Sequence, residues 1–321
     1  MVHNTVPLVT IAIPTYNRAN GYLKNAIGCA LTQTYQNVEV VISDNCSSDN
    51  TEEVVKGFND PRIRYFRQSF NIGANNNFNF CLEKAQGIYF LLLHDDDAID
   101  ADFIDICMRS ANYRTDIGLI RTGTRVIDGE GKVIIERRNQ IGGASTEDFF
   151  LGWFSGKTVL YLCSTLFNTT GLKALGGFGS KHNLFQDVFA EVQLVSRLGR
   201  ADVQDVKASF RKHKGEMTFA AAVVSWCEDS LLLLDLMSEL SSEKREQVRR
   251  SGMKFFARLN YMRAMAVRSP LRRFQAYFTV FKNFHYRYLP PRAHATFMVA
   301  QLLYGTVFYD WLRTIKNRVN S

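Results

Sequence analysis

The sequence lacks the cysteine pairs that mark zinc-binding and redox proteins. Its six cysteines are scattered along 321 residues, and no two of them form a CxxC pair. This argues against a structural zinc site, excludes a small disulfide-stapled fold and is typical of a reducing compartment. No secretory signal precedes the strand-like segment that begins at Leu8, so we expect a cytoplasmic protein.

The common phosphate-binding loops are also missing. No GxGxxG sequence occurs, which removes the phosphate loop that a dinucleotide-binding fold requires. The sequence GWFSGKT at residues 152–158 is one residue short of a P-loop and lies far from the first predicted strand, so we interpret it as a turn. With 46% hydrophobic and 22% charged residues, the composition is that of a globular protein and excludes a disordered one.

Acidic residues are absent from a long part of the C-terminal third. Residues 247–309 contain 11 Lys and Arg and no acid, whereas residues 1–206 contain 19 basic and 23 acidic residues. A mildly acidic body followed by a basic, aromatic-rich region predicts docking on an anionic membrane surface and no nucleic-acid partner. Residues 293–309 carry no formal charge but are too few to span a bilayer. We expect an interfacial amphipathic helix there; the alternative is a helical cap packed on the body.

Apolar strand-like segments alternate with helical patterns in the first hundred residues. The predicted strands cover residues 8–13, 38–43, 63–66 and 88–93, and helices are predicted between them, at 22–33, after 49 and at 75–85. This order predicts a parallel, doubly wound α/β sheet whose ligands bind at the carboxyl ends of the strands. Further on, we expect strands around a turn at residues 128–131, another strand at 158–167, and helices after residue 217.

Polar residues follow the predicted strands at these carboxyl ends. Thr15 ends the first strand, Asp44 the second, and Asp95, Asp96 and Asp97 follow the fourth. Three adjacent carboxylates after a buried strand repel one another, and a cation relieves that cost. Oxygen ligands suit Mg²⁺ or Mn²⁺, which commonly bridge to substrate phosphates. The alternative is a solvated acidic turn that caps a helix.

The motifs TIAIPTYNR, VVISDNCSSDNT, NIGANNNFN and LLLHDDD occur in this order and together resemble family 2 glycosyltransferases. GGF at residues 176–178, FQD at 185–187 with Glu191, and RKHKG at 211–215 extend the resemblance, which covers about residues 8–215. It implies the GT-A fold, a Rossmann-like, mostly parallel sheet flanked by helices, here with a C-terminal helical extension. The implied domains are a nucleotide-sugar-binding half (1–120), an acceptor-binding half (121–216) and a basic, aromatic-rich helical region (217–321).

The resemblance also implies roles for individual residues. The nucleotide would contact Pro14, Thr15, Tyr16, Arg18, Asp44, Asn71, Asn77, Asp95 and Asp96. Asp44 would accept a hydrogen bond from a pyrimidine N3–H, which favours a UDP- or dTDP-sugar; the alternative is an Asx turn. The alternative for Arg18 is an ordinary surface arginine, and the alternative for Asn77 is a cap at the start of a helix.

The metal and the base are implied in the same way. Asp95-x-Asp97 would be the DxD motif, and Asp95, Asp97 and His213 would bind Mg²⁺ or Mn²⁺. His94 stands where many relatives have Asp, and it is either a ribose contact or a core histidine. Asp187 would be the general base; the alternative is a helix N-terminus.

Transfer of a sugar needs charge stabilisation on the leaving diphosphate and a carboxylate that takes the proton of the acceptor hydroxyl. We therefore expect an inverting, metal-dependent transferase that moves a sugar from UDP or dTDP to a glycan or lipid-linked acceptor in surface polysaccharide biosynthesis, at the inner face of the plasma membrane. One alternative is a non-catalytic nucleotide-sugar-binding scaffold. The other is a nucleotidyltransferase, which needs a Gly-rich, basic loop after the first strand; IPTYNRANG matches this poorly.

Overall fold

The computed structural model describes residues 6–213 and 222–290. The chain forms two compact units. The first contains Met1–Glu216 and Glu239–Arg245, and the second contains Met217–Ser238 and Glu246–Ser321. The predicted site residues all lie in the first unit.

The first part of unit one alternates strands and helices as predicted. Its elements are β1 (Val9–Thr15), α1 (Leu23–Leu31), β2 (Val38–Asp44), α2 (Thr51–Lys56), β3 (Ile63–Arg67), α3 (Ala74–Lys84) and β4 (Tyr89–Leu92). These strands are parallel and lie in the order β3-β2-β1-β4. Every residue of β1, β2 and β4 is buried, which explains why their sequences are predominantly apolar and do not alternate regularly between apolar and polar residues.

The second part of unit one makes the sheet mixed. Its elements are β5 (Ala98–Ile99), α4 (Phe103–Ser110), β6 (Leu119–Ile127), β7 (Val133–Arg137), α5 (Thr146–Phe154), β8 (Thr165–Asn168), α6 (Thr169–Ala174), α7 (Gln186–Leu198) and β9 (Arg200–Arg211). The sheet continues β4-β8-β6-β9-β5, with β7 paired to β6. β8 is antiparallel to both neighbours, while β6 and β9 are parallel. The sheet is α/β and GT-A-like, but only its first half is purely parallel.

The strand prediction for residues 158–167 is wrong over most of its length. Only β8 forms a ladder there, and Leu162–Ser164 is a single 3₁₀ turn. A side chain replaces the ladder: the buried Arg121 guanidinium donates to Thr158 Oγ1 and to the carbonyl of Val159. The GKT sequence follows the C-terminus of α5, whereas a phosphate loop precedes a helix N-terminus.

The described part of unit two is helical, as predicted. It consists of α8 (Val223–Glu239), α9 (Arg245–Met265) and α10 (Pro270–Asn283). Ser269 caps α10 by accepting from the backbone N–H of Arg272, and Pro270 occupies the first turn. Among the described helices, none is long and apolar enough to cross a membrane. The predicted interfacial segment, residues 293–309, lies outside the described residues.

Candidate active site

The carboxyl ends of β1, β2 and β4 meet at one edge of the sheet. Thr15 and Asp44 are register partners at the last position of β1 and β2, and both are buried. The Thr15 hydroxyl donates to Asp95 Oδ2 at 2.7 Å, which ties β1 to the loop after β4. Arg18 Nε lies 3.5 Å from the other oxygen of Asp95. The predicted clustering of strand-end polar residues is therefore present.

Asp44 is fully buried, and both of its oxygens have partners. Oδ1 accepts from the backbone N–H of Ser47 at 2.8 Å, and Oδ2 accepts from the Tyr65 hydroxyl at 2.7 Å. The hydrogen bond from Ser47 closes a local turn of the kind that the sequence analysis gave as the alternative role of Asp44. Arg67 Nε also lies 3.8 Å from Oδ2. Each carboxylate oxygen has two lone pairs, so acceptor capacity remains for a further donor.

The two asparagines assigned to the nucleotide have different surroundings. Asn77 is buried and forms a reciprocal pair with Ser43: its Oδ1 accepts from the serine hydroxyl at 2.6 Å, and its Nδ2 donates to the serine carbonyl at 3.0 Å. It is not a helix-start cap, because α3 begins at Ala74 and Asn77 bonds to β2. Asn71 is exposed and accepts from Asn45 Nδ2 at 2.9 Å, which joins two loops of the edge.

The three aspartates after β4 lie in three environments. Asp95 contacts Thr15 and Arg18, and burial raises its pKa to about 6. Asp96 is partly exposed, and its Oδ2 lies 2.8 Å from His213 Nε2. Asp97 is buried and accepts from the backbone N–H of Arg211 at 2.9 Å, and burial raises its pKa well above its usual value. The three carboxylates thus have different hydrogen-bond and ion-pair partners, although they are adjacent in sequence.

The metal-binding geometry involves a different set of residues from the predicted Asp95, Asp97 and His213. Three side chains each offer one possible ligand atom, and these atoms lie within 4.8 Å of one another: His94, Asp96 and Asp97. His213 contacts Asp96. Asp95 points instead to Thr15 and Arg18. Burial lowers the pKa of His94, and its Nε2 is buried with no hydrogen-bond partner among the described residues. The other ring nitrogen, Nδ1, lies 3.9 Å from Asp97 Oδ2, and a neutral imidazole that faces a carboxylate in this way suits a metal ligand.

Asp187 lies in the first turn of α7, on the acceptor-binding half of the predicted layout. Burial raises the pKa of Asp187 to about 6. Hydrogen bonds from backbone N–H groups lower this pKa, but by a smaller amount. The preceding GGF segment is held by α3, because Asn79 Oδ1 accepts from the Phe178 N–H at 2.8 Å. Gly177 has a φ of +84°, and a Cβ there would lie 2.3 Å from the same oxygen, so the turn requires glycine.

Sequence reasoning missed one buried charge near this helix. Arg121 of β6 has no exposed surface, and its guanidinium lies 5.3 Å from the Phe149 ring centroid. The signal was present: an arginine interrupts the apolar strand LIRTG at residues 119–123. A charge in such a run indicates a paired, buried group.

The fold and the strand-end cluster define an α/β protein of the nucleotide-binding type. Residues 10–164 match the family Glycosyl transferase family 2, and this part of the chain belongs to that family. The hyaluronan synthase of Pasteurella multocida is 33% identical over 138 residues, which is 42% of this chain and 14% of that protein. The GalNAc(5)-diNAcBac-PP-undecaprenol β-1,3-glucosyltransferase of Campylobacter jejuni is 31% identical over 163 residues, 47% of this chain and 50% of that one. The chain thus matches half or less of these curated relatives.

Solved structures confirm the GT-A-like fold. Residues 1–349 of Staphylococcus aureus TarS, in complex with UDP-GlcNAc, superpose with a TM-score of 0.57 at 15% identity, over 86% of this chain and 89% of that one. The mannosyltransferase PcManGT of Pyrobaculum calidifontis, in complex with GDP-Man and Mn²⁺, gives a TM-score of 0.54 at 15% identity, over 96% and 84%.

Proposed function

We propose that the protein is an inverting glycosyltransferase that transfers a sugar from a UDP- or dTDP-sugar to a glycan or lipid-linked acceptor. The observation that carries the proposal is the meeting of Thr15, Asp44 and the three aspartates at the carboxyl ends of β1, β2 and β4. A polysaccharide synthase and an undecaprenol-linked glucosyltransferase among the relatives support the reaction and a lipid-linked acceptor.

The donor would bind along this edge of the sheet. Pro14, Thr15 and Tyr16 would line the base and ribose, and Tyr16 offers an exposed ring for that purpose. Asp44 would accept the pyrimidine N3–H with the lone pairs that Ser47 and Tyr65 leave. A neighbour of known structure holds UDP-GlcNAc and another holds GDP-Man, so the uridine preference rests on Asp44.

The donor set fits Mg²⁺ or Mn²⁺. Asp96, Asp97 and His94 would offer ligands, with His213 beside Asp96. Carboxylates suit both ions, and the imidazoles favour Mn²⁺. When bound, the ion supplies Lewis-acid stabilisation of the diphosphate charge. Asp95, held by Thr15 and Arg18, would position the ribose instead.

Asp187 would act as the base. With a pKa of about 6 it is mostly ionised at neutral pH yet remains a better base than an ordinary aspartate. It would take the proton from the acceptor hydroxyl as that oxygen bonds to the anomeric carbon. The anomeric C–O bond to the diphosphate breaks on the opposite face, and its electron pair leaves with the diphosphate, which gives inversion.

The described part of unit two supports a peripheral membrane location at the inner face of the plasma membrane. Leu271, Phe274 and Phe278 of α10 are exposed at helical spacing i, i+3 and i+7. Arg272, Arg273 and Lys282 lie on the same helix. Apolar side chains flanked by cations fit an anionic lipid surface.

The decisive experiment measures thermal stabilisation and turnover with a panel of sugar nucleotides, with and without Mn²⁺. Ligand at 100 times its Kd should stabilise the protein by about 2.7 kcal/mol. We expect stabilisation and turnover with UDP- or dTDP-sugars and Mn²⁺. Stabilisation without turnover on any acceptor would favour the scaffold alternative, and release of pyrophosphate from a nucleoside triphosphate and a sugar phosphate would favour the nucleotidyltransferase.

A further inference from the structure

Beside the first turn of α7 lies a group of buried polar side chains that the proposed reaction leaves without a role. Glu191 of α7 and Arg121 of β6 are both fully buried. Thr165 of β8 lies between them: its hydroxyl has two acceptors at 3.2 Å, Glu191 Oε1 and the carbonyl of Tyr161, and it accepts from Arg121 Nε at 3.3 Å. Arg121 also donates to Thr158 and Val159, so its donors are directed to neutral oxygens.

The second oxygen of Glu191 has no such partner. Oε2 is buried and makes no hydrogen bond to any described residue. An ionised carboxylate without a donor is costly when buried, so this environment favours the neutral acid. Glu191 follows Asp187 by four residues, which places the two carboxyl groups on one face of α7 with Cβ atoms about 6 Å apart. Burial first, and then the charge of Asp187, raise the pKa of Glu191 to about 7.

Among the residues that the structure describes, two charged groups act on Glu191. Asp187 raises its proton affinity and Arg121 lowers it. The charged side chains of the neighbouring helices are engaged elsewhere: Glu147 with Ser242, Asp148 with Lys244, and Lys173 with the carbonyl of Ala85.

We propose that Glu191 is a positioning residue that sets the strength of Asp187 as a base through its own charge. The proposal rests on the proposed function, in which Asp187 accepts the proton of the acceptor hydroxyl. While Glu191 is neutral, Asp187 carries the only negative charge of the pair. When Glu191 ionises, a second negative charge one turn away increases the proton affinity of Asp187, and proton removal becomes faster.

The test is the pH dependence of kcat. The wild-type rate should rise in two steps, near pH 6 as Asp187 ionises and near pH 7 as Glu191 ionises. Glu191→Gln keeps the shape and the contact to Thr165 but removes the charge. It should retain the lower step, lose the upper one, and turn over roughly three- to ten-fold more slowly at pH 8, as expected for a weaker base. An upper step that persists in this variant overturns the proposal.

A matched control makes the same change at a remote buried carboxylate. Glu39 of β2 accepts from Thr10 at 2.6 Å and from the backbone N–H of Gln86 at 2.7 Å, and its other oxygen pairs with Arg64 at 2.6 Å. Glu39→Gln should keep both steps whatever its effect on stability. Loss of the upper step in the control as well would mean that the step reports general loosening of the fold, and would overturn the assignment to Glu191.

A second readout does not require turnover. A carboxyl group whose pKa is about 7 when folded and 4.5 when unfolded destabilises the protein as pH rises between these values, because the unfolded chain loses its proton first. The free energy of unfolding of Glu191→Gln minus that of the wild type should therefore grow from pH 4.5 to 7. A flat difference overturns the proposal. If no donor gives turnover but the difference grows, the proposed function fails while the charge state of Glu191 stands.

Discussion

Asp95, Asp96 and Asp97 are adjacent in sequence, yet each carboxylate has a different partner, and their substitutions should differ accordingly. Asp96→Ala removes the partly exposed carboxylate beside His213. We expect it to abolish Mn²⁺-dependent stabilisation and transfer, while the metal-free melting temperature stays equal or rises because repulsion within the triplet falls. Differential scanning fluorimetry with titrated Mn²⁺ measures both quantities.

Asp97→Ala should behave differently. It leaves the backbone N–H of Arg211 without its acceptor in a buried position. Such a loss costs about 1–3 kcal/mol of unfolding free energy, so denaturant unfolding without metal should separate this variant from Asp96→Ala. Equal stability of the two alanine variants would contradict the geometry described for Asp97.

Asp187→Asn preserves the shape of the side chain but cannot take a proton. Turnover should fall by roughly two to four orders of magnitude while the Kd for the sugar nucleotide stays within a factor of two or so. Initial rates and calorimetric titration on the same preparation check this. Wild-type turnover in Asp187→Asn would remove Asp187 from the mechanism.

The sequence could not predict which aspartate of the triplet contacts which partner. The DDD run indicates a site, but the partners Thr15, Arg211 and His213 come from strands or loops up to about 120 residues away. The approach of Arg211 and His213 depends on how β9 pairs with β6, and a local pattern carries no information about that pairing. The predicted DxD register, Asp95 and Asp97, therefore remains a prediction, while the geometry favours Asp96.

At the scale of elements, apolar runs predicted the strands correctly where both faces of the strand are covered. β1, β2 and β4 are such strands, and their predicted limits agree within one or two residues. The failure at residues 158–167 has a specific cause, since Arg121 from a distant strand bonds to the backbone oxygen of Val159, which a ladder would otherwise use. Local propensity cannot anticipate a side chain that arrives from elsewhere in the chain.

The docking of α3 on β2 gives a prediction at this scale. Asn77→Ala should lower the free energy of unfolding by about 1–3 kcal/mol, because it removes the two buried hydrogen bonds between Asn77 and Ser43. Asn76→Ala is the matched control: Asn76 is exposed and bonds only to the carbonyl of Ile72 among the described residues. Urea unfolding should detect the first change and little of the second.

At the scale of the whole molecule, the uneven distribution of charge predicts lipid binding. The intact protein should bind anionic vesicles with an affinity that falls with salt, since each cation near the surface contributes about 1 kcal/mol. Phe274→Ser with Phe278→Ser should reduce the part of the binding that salt does not affect, without lowering the melting temperature, because both rings are exposed. Co-sedimentation at two salt concentrations tests this. If the wild-type protein does not bind anionic vesicles at low salt, the proposed membrane association is wrong.

The loops at the carboxyl edge of the sheet are tied to one another without any ligand. Asn17 accepts from the backbone of Ser48, Asn45 bonds to Asn71, and Ser47 donates its backbone N–H to Asp44. A loop that is already ordered loses little conformational freedom when a ligand arrives. Donor binding should therefore require little further ordering of these loops, so that they contribute only a small entropic penalty in calorimetry.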